Sequence, residues 1–593
     1  DAASDSDGDI NSVFNASTLN IGTKIDLGDW TITETAGTLF FATGGVNKMK
    51  INSLLYSFIF TLLSQISFSQ QQDKPKLIVG IVIDQMRAEY LYRFQGNYAE
   101  DGFKRLLREG LNVKNTHYNY IPTATGPGHT SIYTGTTPVN HGIVSNDWYN
   151  RELGRSIYCA EDSTVFLVDH LGVQKDKKFK NFSRSPKNNL TTTITDELKL
   201  FTNQRSKVIG VSLKDRGAIF PSGHLANAAY WYNPNNGHFV TSSYYMNKLP
   251  QWLIKFNNKK KSDSLLNQTW KTLLPIEKYI HSEIDDSSFE KKFKGKQLSI
   301  FPYNLKTLRK ENGNYKLITH VPQGNTLLTE LVKATIKGEN LGRNETTDFL
   351  TISYSSTDYV GHNFGIRSKE LEDTYIRMDR EIALLLKDLD TEVGKDNYIL
   401  FLTADHAVSD NPPFLKSKRL PGNFYNSKKI KENLNIYLSD IFGKDNYIAH
   451  IDKTQIYLSE KKIVKEKILK ASLQFLITIE GMKDVFAPKL KVHSLDNSII
   501  SNVIKNSYNS KESGDILYQM HSGWMEERLF GTTHSTAYTS DTHVPLLWYG
   551  WHIPKGETVK PHVITQITPT LSFLLDIPLP NASNREPIKE LFD

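Results

Sequence analysis

Residues 76–84 read KLIVGIVID. From Leu77 to Ile83 the run is apolar without a break, and it closes on a carboxylate, Asp84. A strand with one wet face would alternate apolar and polar residues; an unbroken run suits a strand covered on both faces, as in a parallel sheet. Three more runs are largely continuous in the same way. KVIGVSLKD (207–215) reaches Lys214, DFLTISYSSTD (348–358) ends in Asp358, and NYILFLTADH (397–406) ends in Asp405 and His406. Helical patterns lie between them, as in EDGFKRLLREG (100–110) and KELEDTYIRMDREIALLLKDLD (369–390). This alternation predicts an α/β fold with a doubly wound, mostly parallel sheet. Such sheets bind ligands beyond the carboxyl ends of their strands, and an Asp or Lys stands at that end of all four runs.

Two segments break the rhythm. Residues 226–325, rich in Asn, Lys and aromatics (WYNPNNGHF, PYNLKTLRKENGNYK), and residues 412–530, with Lys-rich helical patterns, read as two inserted cap subdomains. The core then falls into three parts, 74–225, 326–411 and 531–593. Upstream, Met49-Lys50 and the apolar INSLLYSFIFTLLSQISFSQ read as a signal peptide over 49–69, preceded by an extension of uncertain origin, 1–48. Ser-rich and short, that segment makes a poor membrane span, and no span is expected in the mature form.

The 593 residues carry a net charge of +7 and 39% hydrophobic residues, enough for a sizeable core. Lys-rich runs such as KFNNKKKSD (255–263) and FEKKFKGKQ (289–297) read as solvated faces. No zinc-finger, RNA-binding or basic-zipper spacing is present, so nucleic acid is not an expected partner. The single cysteine, Cys159, excludes an internal disulfide and reads as a buried thiol. The acidic DSDGD (5–9) lacks the Gly and Glu of a calcium loop, with Ile10 and Ala16 in their places.

Asp358 and His362 in STDYVGHNFG are one helical turn apart and can face one ion, although D-x-x-x-H alone is a weak signal. Asp405 and His406 are ligands or simply a strand end beside a solvated histidine. His534, in the polar loop GTTHS, is free to reach a site, whereas His543 before VPLL reads as a packed histidine. With Asp84 they offer six O and N donors and no thiolate, a mixture that suits two zinc ions, with Mn²⁺ or Fe also possible. Two ions a few Å apart serve an in-line displacement at phosphorus. The stretch YIPTATGPGHTSIYTG (120–135) supplies hydroxyls, Thr123 and Thr125, at the mouth of a helix, where a threonine is either a cap or an activated nucleophile.

The order Asp, Thr, D-x-x-x-H, D-H, His resembles that of the alkaline phosphatase superfamily. IVIDQMR, GHTSIYTG, HGIVSNDWY, VSLKDR, STDYVGHNFG and GTTHS are similar to the PafA-type, phosphate-irrepressible periplasmic alkaline phosphatases of Bacteroidetes, from about residue 74 to the C-terminus and weakly across 412–530. The resemblance implies that Thr125, the second Thr of a T-x-T before GHTS, is the nucleophile. It implies one zinc ion on Asp84, Asp405, His406 and the Thr125 oxygen, and another on Asp358, His362 and His534. Asn146, Lys214 and Arg216 match residues that bind the transferred phosphoryl oxygens; without the other motifs, Lys214 and Arg216 read rather as a local ion pair with Asp215. Pro127 is a departure that the first turn of a helix tolerates, and His129 matches a family histidine without a metal of its own, read as support for the site or as packing.

The resemblance therefore implies a secreted or periplasmic two-zinc hydrolase of small phosphate monoesters that works through a phosphothreonine, expected as a monomer. The alternatives are a phosphodiesterase or nucleotide pyrophosphatase of the same superfamily, which would not use such a Lys/Arg pair, and a metal-stabilised surface-binding protein without turnover.

Overall fold

The structure, a computed structural model, describes residues 74–176, 183–460, 464–490 and 499–592, together with the strands Ile25–Asp26, Trp30–Thr35 and Thr38–Thr43. They belong to two compact units, 1–73 and 74–593. In the first, the three strands pair antiparallel in chain order. The signal segment expected at 49–69 and the rest of 1–48 lie outside the described residues.

The second unit is built on a sheet of eleven strands among the described residues. In chain order these are β1 (Leu77–Ile83), β2 (Leu111–Val113), β3 (Leu167–Asp169), β4 (Gly172–Gln174), β5 (Val208–Ser212) and β6 (Ala228–Asn233). They continue with β7 (His238–Ser242), β8 (Asp348–Tyr354), β9 (Tyr398–Thr403), β10 (Leu546–Gly550) and β11 (Gly556–Thr558). Their order across the sheet is β4-β3-β7-β6-β5-β8-β1-β9-β10-β2-β11. The four apolar runs form the centre: β5, β8, β1 and β9 pair parallel, and β6 joins them on the same sense. The flanking pairings are antiparallel apart from β2 with β11, so the sheet as a whole is mixed.

Every residue of β1, β5, β8 and β9 is buried, which is why apolar residues dominate these strands, even though β8 also buries Thr351 and Ser353. One helix that covers the sheet, α1 (Thr125–Thr134), is buried along its whole length. It lies so close to β1 that a Cβ at Gly80 would overlap the Tyr133 hydroxyl and the Phe401 ring. A glycine ordinarily weakens a strand, and here the close seat of α1 together with the Phe401 ring of β9 leaves room for nothing larger. The remaining helices used below are α2 (Asp215–Ser222), α3 (Gln323–Glu339), α4 (Ser356–Phe364) and α5 (Lys369–Glu392).

One boundary read from sequence needs correcting. β6 and β7, placed in the cap at 226–325, are strands of the main sheet, joined by the turn at Asn233–Gly237. The Asn-Pro-Asn-Asn-Gly stretch gives a coil-like composition, yet it is the tip of a hairpin whose arms, AAYWYN and HFVTS, are largely buried. Within 412–530, four strands (Ile448–Ile451, Gln455–Leu458, Met482–Phe486 and Ile516–Met520) make a separate antiparallel sheet. Helices Ser427–Phe442 and Lys465–Leu476 cover it, and Leu434, Leu438, Ile456, Leu476 and Ile516 give it an apolar core of its own. Among the described residues no helix is long and apolar enough to cross a membrane.

Candidate functional site

α1 starts at Thr125, with Ala124 extended before it and no side chain capping the end. Ala124 itself offers no capping oxygen, so the positive end of the helix is left to groups from elsewhere in the chain. The Gly126 N–H donates to Asn146 Oδ1 at 2.7 Å, which turns the Asn146 amide –NH₂ away from the helix. Thr123 lies just outside, and its hydroxyl donates to the Thr536 carbonyl at 3.1 Å. Among the described residues the Thr125 hydroxyl makes no hydrogen bond, so it is the threonine with a free oxygen. One turn on, a Cβ at Gly128 would overlap the Asp405 carbonyl, so only glycine lets α1 meet the end of β9. Gly128→Ala is expected to destabilise the protein by about 1–3 kcal/mol through overpacking; an unchanged thermal melt would rule out this close approach.

His129 braces the same junction. Its Nδ1 lies 2.9 Å from the Thr125 carbonyl and 3.4 Å from Asp405 Oδ2, and its Nε2 lies 2.8 Å from Ser353 Oγ. Burial lowers its pKa to about 4, so the ring is neutral. Of the two readings open for it, support of the site or packing, these contacts favour the first.

Two groups of donor atoms lie at the carboxyl ends of the central strands, each drawn within 4.8 Å. The first holds Asp84 after β1 with Asp405 and His406 after β9, all fully buried. His406 Nε2 lies 3.5 Å from Asp84 Oδ1 and 3.7 Å from Asp405 Oδ2, while its Nδ1 donates to the Ala407 carbonyl at 3.0 Å. Asp84 Oδ1, Asp405 Oδ2 and His406 Nε2 are all buried without a hydrogen-bond partner. Three orphaned buried acceptors converging on one point are costly unless a cation sits among them. That is the observation by which this group fits a metal ion.

The second group is Asp358 and His362 on α4 with His534. Asp358 Oδ1 lies 3.0 Å from His362 Nε2 and 4.0 Å from His534 Nε2. Each histidine has Nδ1 against a backbone carbonyl, His362 on Thr532 at 2.7 Å and His534 on Thr123 at 2.5 Å, which points both Nε2 atoms toward Asp358. The His534 ring stacks on His406 with centroids 3.6 Å apart, which sets the two groups side by side. One O donor and two N donors suit the same borderline cation as the first group.

Lys214, the residue before α2, ties the groups together: its Nζ reaches Asp84 Oδ2 at 2.5 Å and Asp358 Oδ2 at 2.7 Å. Each carboxylate thus gives one oxygen to its own group and the other to Lys214. Burial, together with Asp358 and Asp405, holds the Asp84 carboxyl well above the usual range. Burial also acts upward on Asp358, but His362 and Lys214 outweigh it and hold that carboxyl well below. The local pairing of Lys214 and Arg216 with Asp215 is not what the structure shows. Asp215 Oδ2 instead accepts from Arg184 Nε at 2.6 Å, and its Oδ1 accepts from the Tyr158 hydroxyl.

Arg216 Nη1 donates to Tyr158 Oη at 3.0 Å, and its Nε is buried without a partner. Tyr158 therefore aims the guanidinium. Tyr158→Phe is expected to lower kcat/KM for a phosphate monoester about tenfold, the scale of one hydrogen bond to a charged group. An unchanged kcat/KM would remove Tyr158 from the site. Asn146, His362 and His534 line a cavity of about 280 Å³ that opens over these residues.

All ten residues named from the sequence come to the carboxyl ends of β1, β5, β8 and β9 or to the loops facing them. Three supporting residues were not foreseen. Gln85, in a left-handed conformation with φ 68°, donates from Nε2 to Asp358 Oδ1 at 2.5 Å and from its backbone N to Asp405 Oδ1 at 3.2 Å. Arg528 holds the His362 carbonyl at 2.6 Å, and Tyr158 orients Arg216. None carries a local signal: a Gln after a strand, an Arg in a loop and a Tyr before Cys159 are ordinary. His543 stays outside, with its Nε2 on the Lys114 carbonyl at 2.7 Å and its ring on His117. Cys159 is buried, which pushes its thiol well up and leaves it inert.

A separate carboxylate group, Asp285 and Glu290 against Glu370 of α5, has no histidine. Burial and Glu370 raise Glu290 to about 9, and burial raises Glu370 to about 8. Folded pKa values above the unfolded ones mean that this pair stabilises fully below about pH 4.5 and loses that contribution as pH rises through 8 to 9. Melts across pH 6 to 9.5 should therefore fall less steeply for Glu290→Gln than for the wild type; parallel slopes would refute the shift.

Three kinds of similarity bear on the site. The pattern of the type I phosphodiesterase/nucleotide pyrophosphatase family matches residues 78–543. Alkaline phosphatase PafA of Elizabethkingia meningoseptica is 42% identical over 527 residues, 87% of this chain and 94% of that protein, and a protein of Myroides odoratus named calcium-transporting ATPase is 41% identical over 552 residues, 92% and 98%. The crystal structure of wild-type alkaline phosphatase PafA matches with a TM-score of 0.84 at 40% identity, covering 88% of this chain and all of that one. A PafA mutant with one threonine, one asparagine, one lysine and one arginine replaced matches with a TM-score of 0.83 at 39% identity, over 88% of this chain and 100% of that chain.

Proposed function

This chain belongs to the type I phosphodiesterase/nucleotide pyrophosphatase family, within the alkaline phosphatase superfamily, and from that membership we propose which of its residues carry the reaction and how. The protein is an alkaline phosphatase, a phosphate monoester hydrolase. The observation that carries the assignment of roles is the convergence of orphaned Asp84 Oδ1, Asp405 Oδ2 and His406 Nε2, with Thr125 at the first position of α1.

Two Zn²⁺ ions are the proposed cofactors, one on Asp84, Asp405 and His406 with the Thr125 oxygen, the other on Asp358, His362 and His534. When bound they supply Lewis acidity toward the Thr125 hydroxyl, the departing ester oxygen and the water that follows. Thr125 Oγ attacks phosphorus while the bond to the ester oxygen breaks and the alcohol leaves with a proton. Water then breaks the Thr125 Oγ–phosphorus bond, returning the hydroxyl and releasing phosphate. The Asn146 amide and the unpaired Arg216 Nε face the oxygens of the transferred group, and Lys214 adds its charge between the two carboxylates. The four residue types replaced in the PafA mutant are those of Thr125, Asn146, Lys214 and Arg216, and their Thr–Asn and Lys–Arg spacings are the same here. This supports the assignment.

The family description also includes diesters. Two cations favour a doubly charged monoester over a singly charged diester. The test is hydrolysis of matched aryl mono- and diesters. Arg216→Ala is expected to cut kcat/KM for the monoester by about 10²-fold or more and for the diester far less, as for loss of one charged donor. Equal losses would move the chain to the diesterase reading. Secretion to the periplasm completes the proposal, resting on the apolar segment after Met49-Lys50; small phosphate esters are the proposed partners, and a monomer the proposed state.

A further inference from the structure

The cavity over the site is lined on its His362 and His534 side by Asp452 and Lys453. These lie in the turn between Ile448–Ile451 and Gln455–Leu458, strands of the smaller sheet. The turn is tightly held. Asp452 Oδ1 accepts from the Thr454 and Gln455 N–H groups at 3.0 and 2.9 Å, the Tyr518 hydroxyl donates to the Asp452 carbonyl at 2.6 Å, and the Tyr425 hydroxyl donates to the Lys453 carbonyl at 3.1 Å. Lys453 Nζ donates to Thr533 Oγ1 at 3.0 Å, next in sequence to His534. Among the described residues no carboxylate lies within ion-pair distance of it. An ammonium has three donors, and this one uses a single protein partner while facing a cavity. The nearby Arg528 is not a substitute, because its N–H groups go to the carbonyls of His362, Phe530 and Thr532. Of the two other carboxylates that line the cavity, Asp452 closes the turn that presents Lys453, and Asp147 is exposed at the rim.

We propose that Lys453 forms a second anion subsite, which recognises a carboxylate or phosphate carried by the alcohol part of the substrate. The inference rests on the reading that a monoester reacts at Thr125. The transferred phosphoryl group faces Asn146 and Arg216, and Lys453 stands beside the His362 and His534 group. A substrate whose alcohol carries its own negative charge gains an ion pair there that a neutral alcohol lacks. A smaller domain that only covered the site would have no need of a rigid turn ending in an unpaired cation.

The test compares phosphate release from glycerol 3-phosphate, with a neutral alcohol part, against 3-phosphoglycerate and propane-1,3-diol bisphosphate, whose alcohol parts carry a carboxylate or a phosphate. The readout is the ratio of kcat/KM for each charged substrate to that for the neutral one. In Lys453→Met this ratio is expected to fall about tenfold or more for at least one of them, and in Lys453→Arg to stay near the wild-type value. The substrate that responds distinguishes carboxylate from phosphate. An unchanged ratio in Lys453→Met overturns the subsite, as does an equal loss on all three substrates in a variant that melts normally. Lys453→Gln serves if the methionine variant does not fold. A wild-type protein that releases phosphate from none of the three would defeat the phosphatase reading itself, a distinct failure.

Discussion

Thr125→Ala is expected to lower kcat for an aryl phosphate monoester on the order of 10⁴-fold or more, with metal content and thermal stability close to wild type. The size follows from the role: a covalent nucleophile cannot be replaced by a methyl group, and what remains is the rate supplied by binding and electrostatics. The preserved fold follows from the geometry. The Thr125 hydroxyl bonds to no other described residue, so its removal orphans nothing, and each metal group keeps three protein donors. Thr123→Ala makes the control. Its hydroxyl donates to the Thr536 carbonyl, so that variant is expected to lose about 1 kcal/mol of stability and little of the chemistry. Full activity in Thr125→Ala, or a larger kinetic loss in Thr123→Ala, would overturn the choice between the two threonines.

Removal of metal is expected to bring activity down to background and to lower the melting temperature together, with both restored by zinc. Asp84, Asp358 and Asp405 are buried close together, and without cations Lys214 is the one ammonium in salt-bridge contact with them among the described residues. Three buried carboxylates with one ammonium are an unfavourable charge balance, so metal binding and folding are coupled. The coupling has a sign in pH. Burial and the neighbouring Asp358 and Asp405 hold Asp84 well above the ordinary carboxylate range, so metal uptake must displace a proton there. Zinc affinity is therefore expected to weaken as pH falls, read by titration of the metal-free protein at several pH values. Activity that survives with less than one equivalent of bound metal would refute the two-ion site.

The core of this fold was legible because burial leaves a local mark. β1, β5, β8 and β9 are covered on both faces, so their sequences are largely apolar, and the polar residues that close them mark the ligand-binding edge of the sheet. Asp358 and His362 were legible as a pair because one helical turn sets both on the same face of α4. The hairpin of β6 and β7 was misplaced for the converse reason: its Asn-rich tip outweighs its buried arms in composition, and membership of a sheet depends on partners far along the chain.

The chain by itself determined the strands, the residues at their ends and the threonine-led helix, since each follows from the periodicity or turn chemistry of neighbouring residues. Only the tertiary structure decided that Lys214 joins Asp84 to Asp358, that Gln85 and Arg528 brace the two groups, that Tyr158 aims Arg216, and that Lys453 reaches the cavity from the smaller sheet. These contacts join positions tens to hundreds of residues apart. They depend on strand order, register and loop closure, and no short window of sequence contains them.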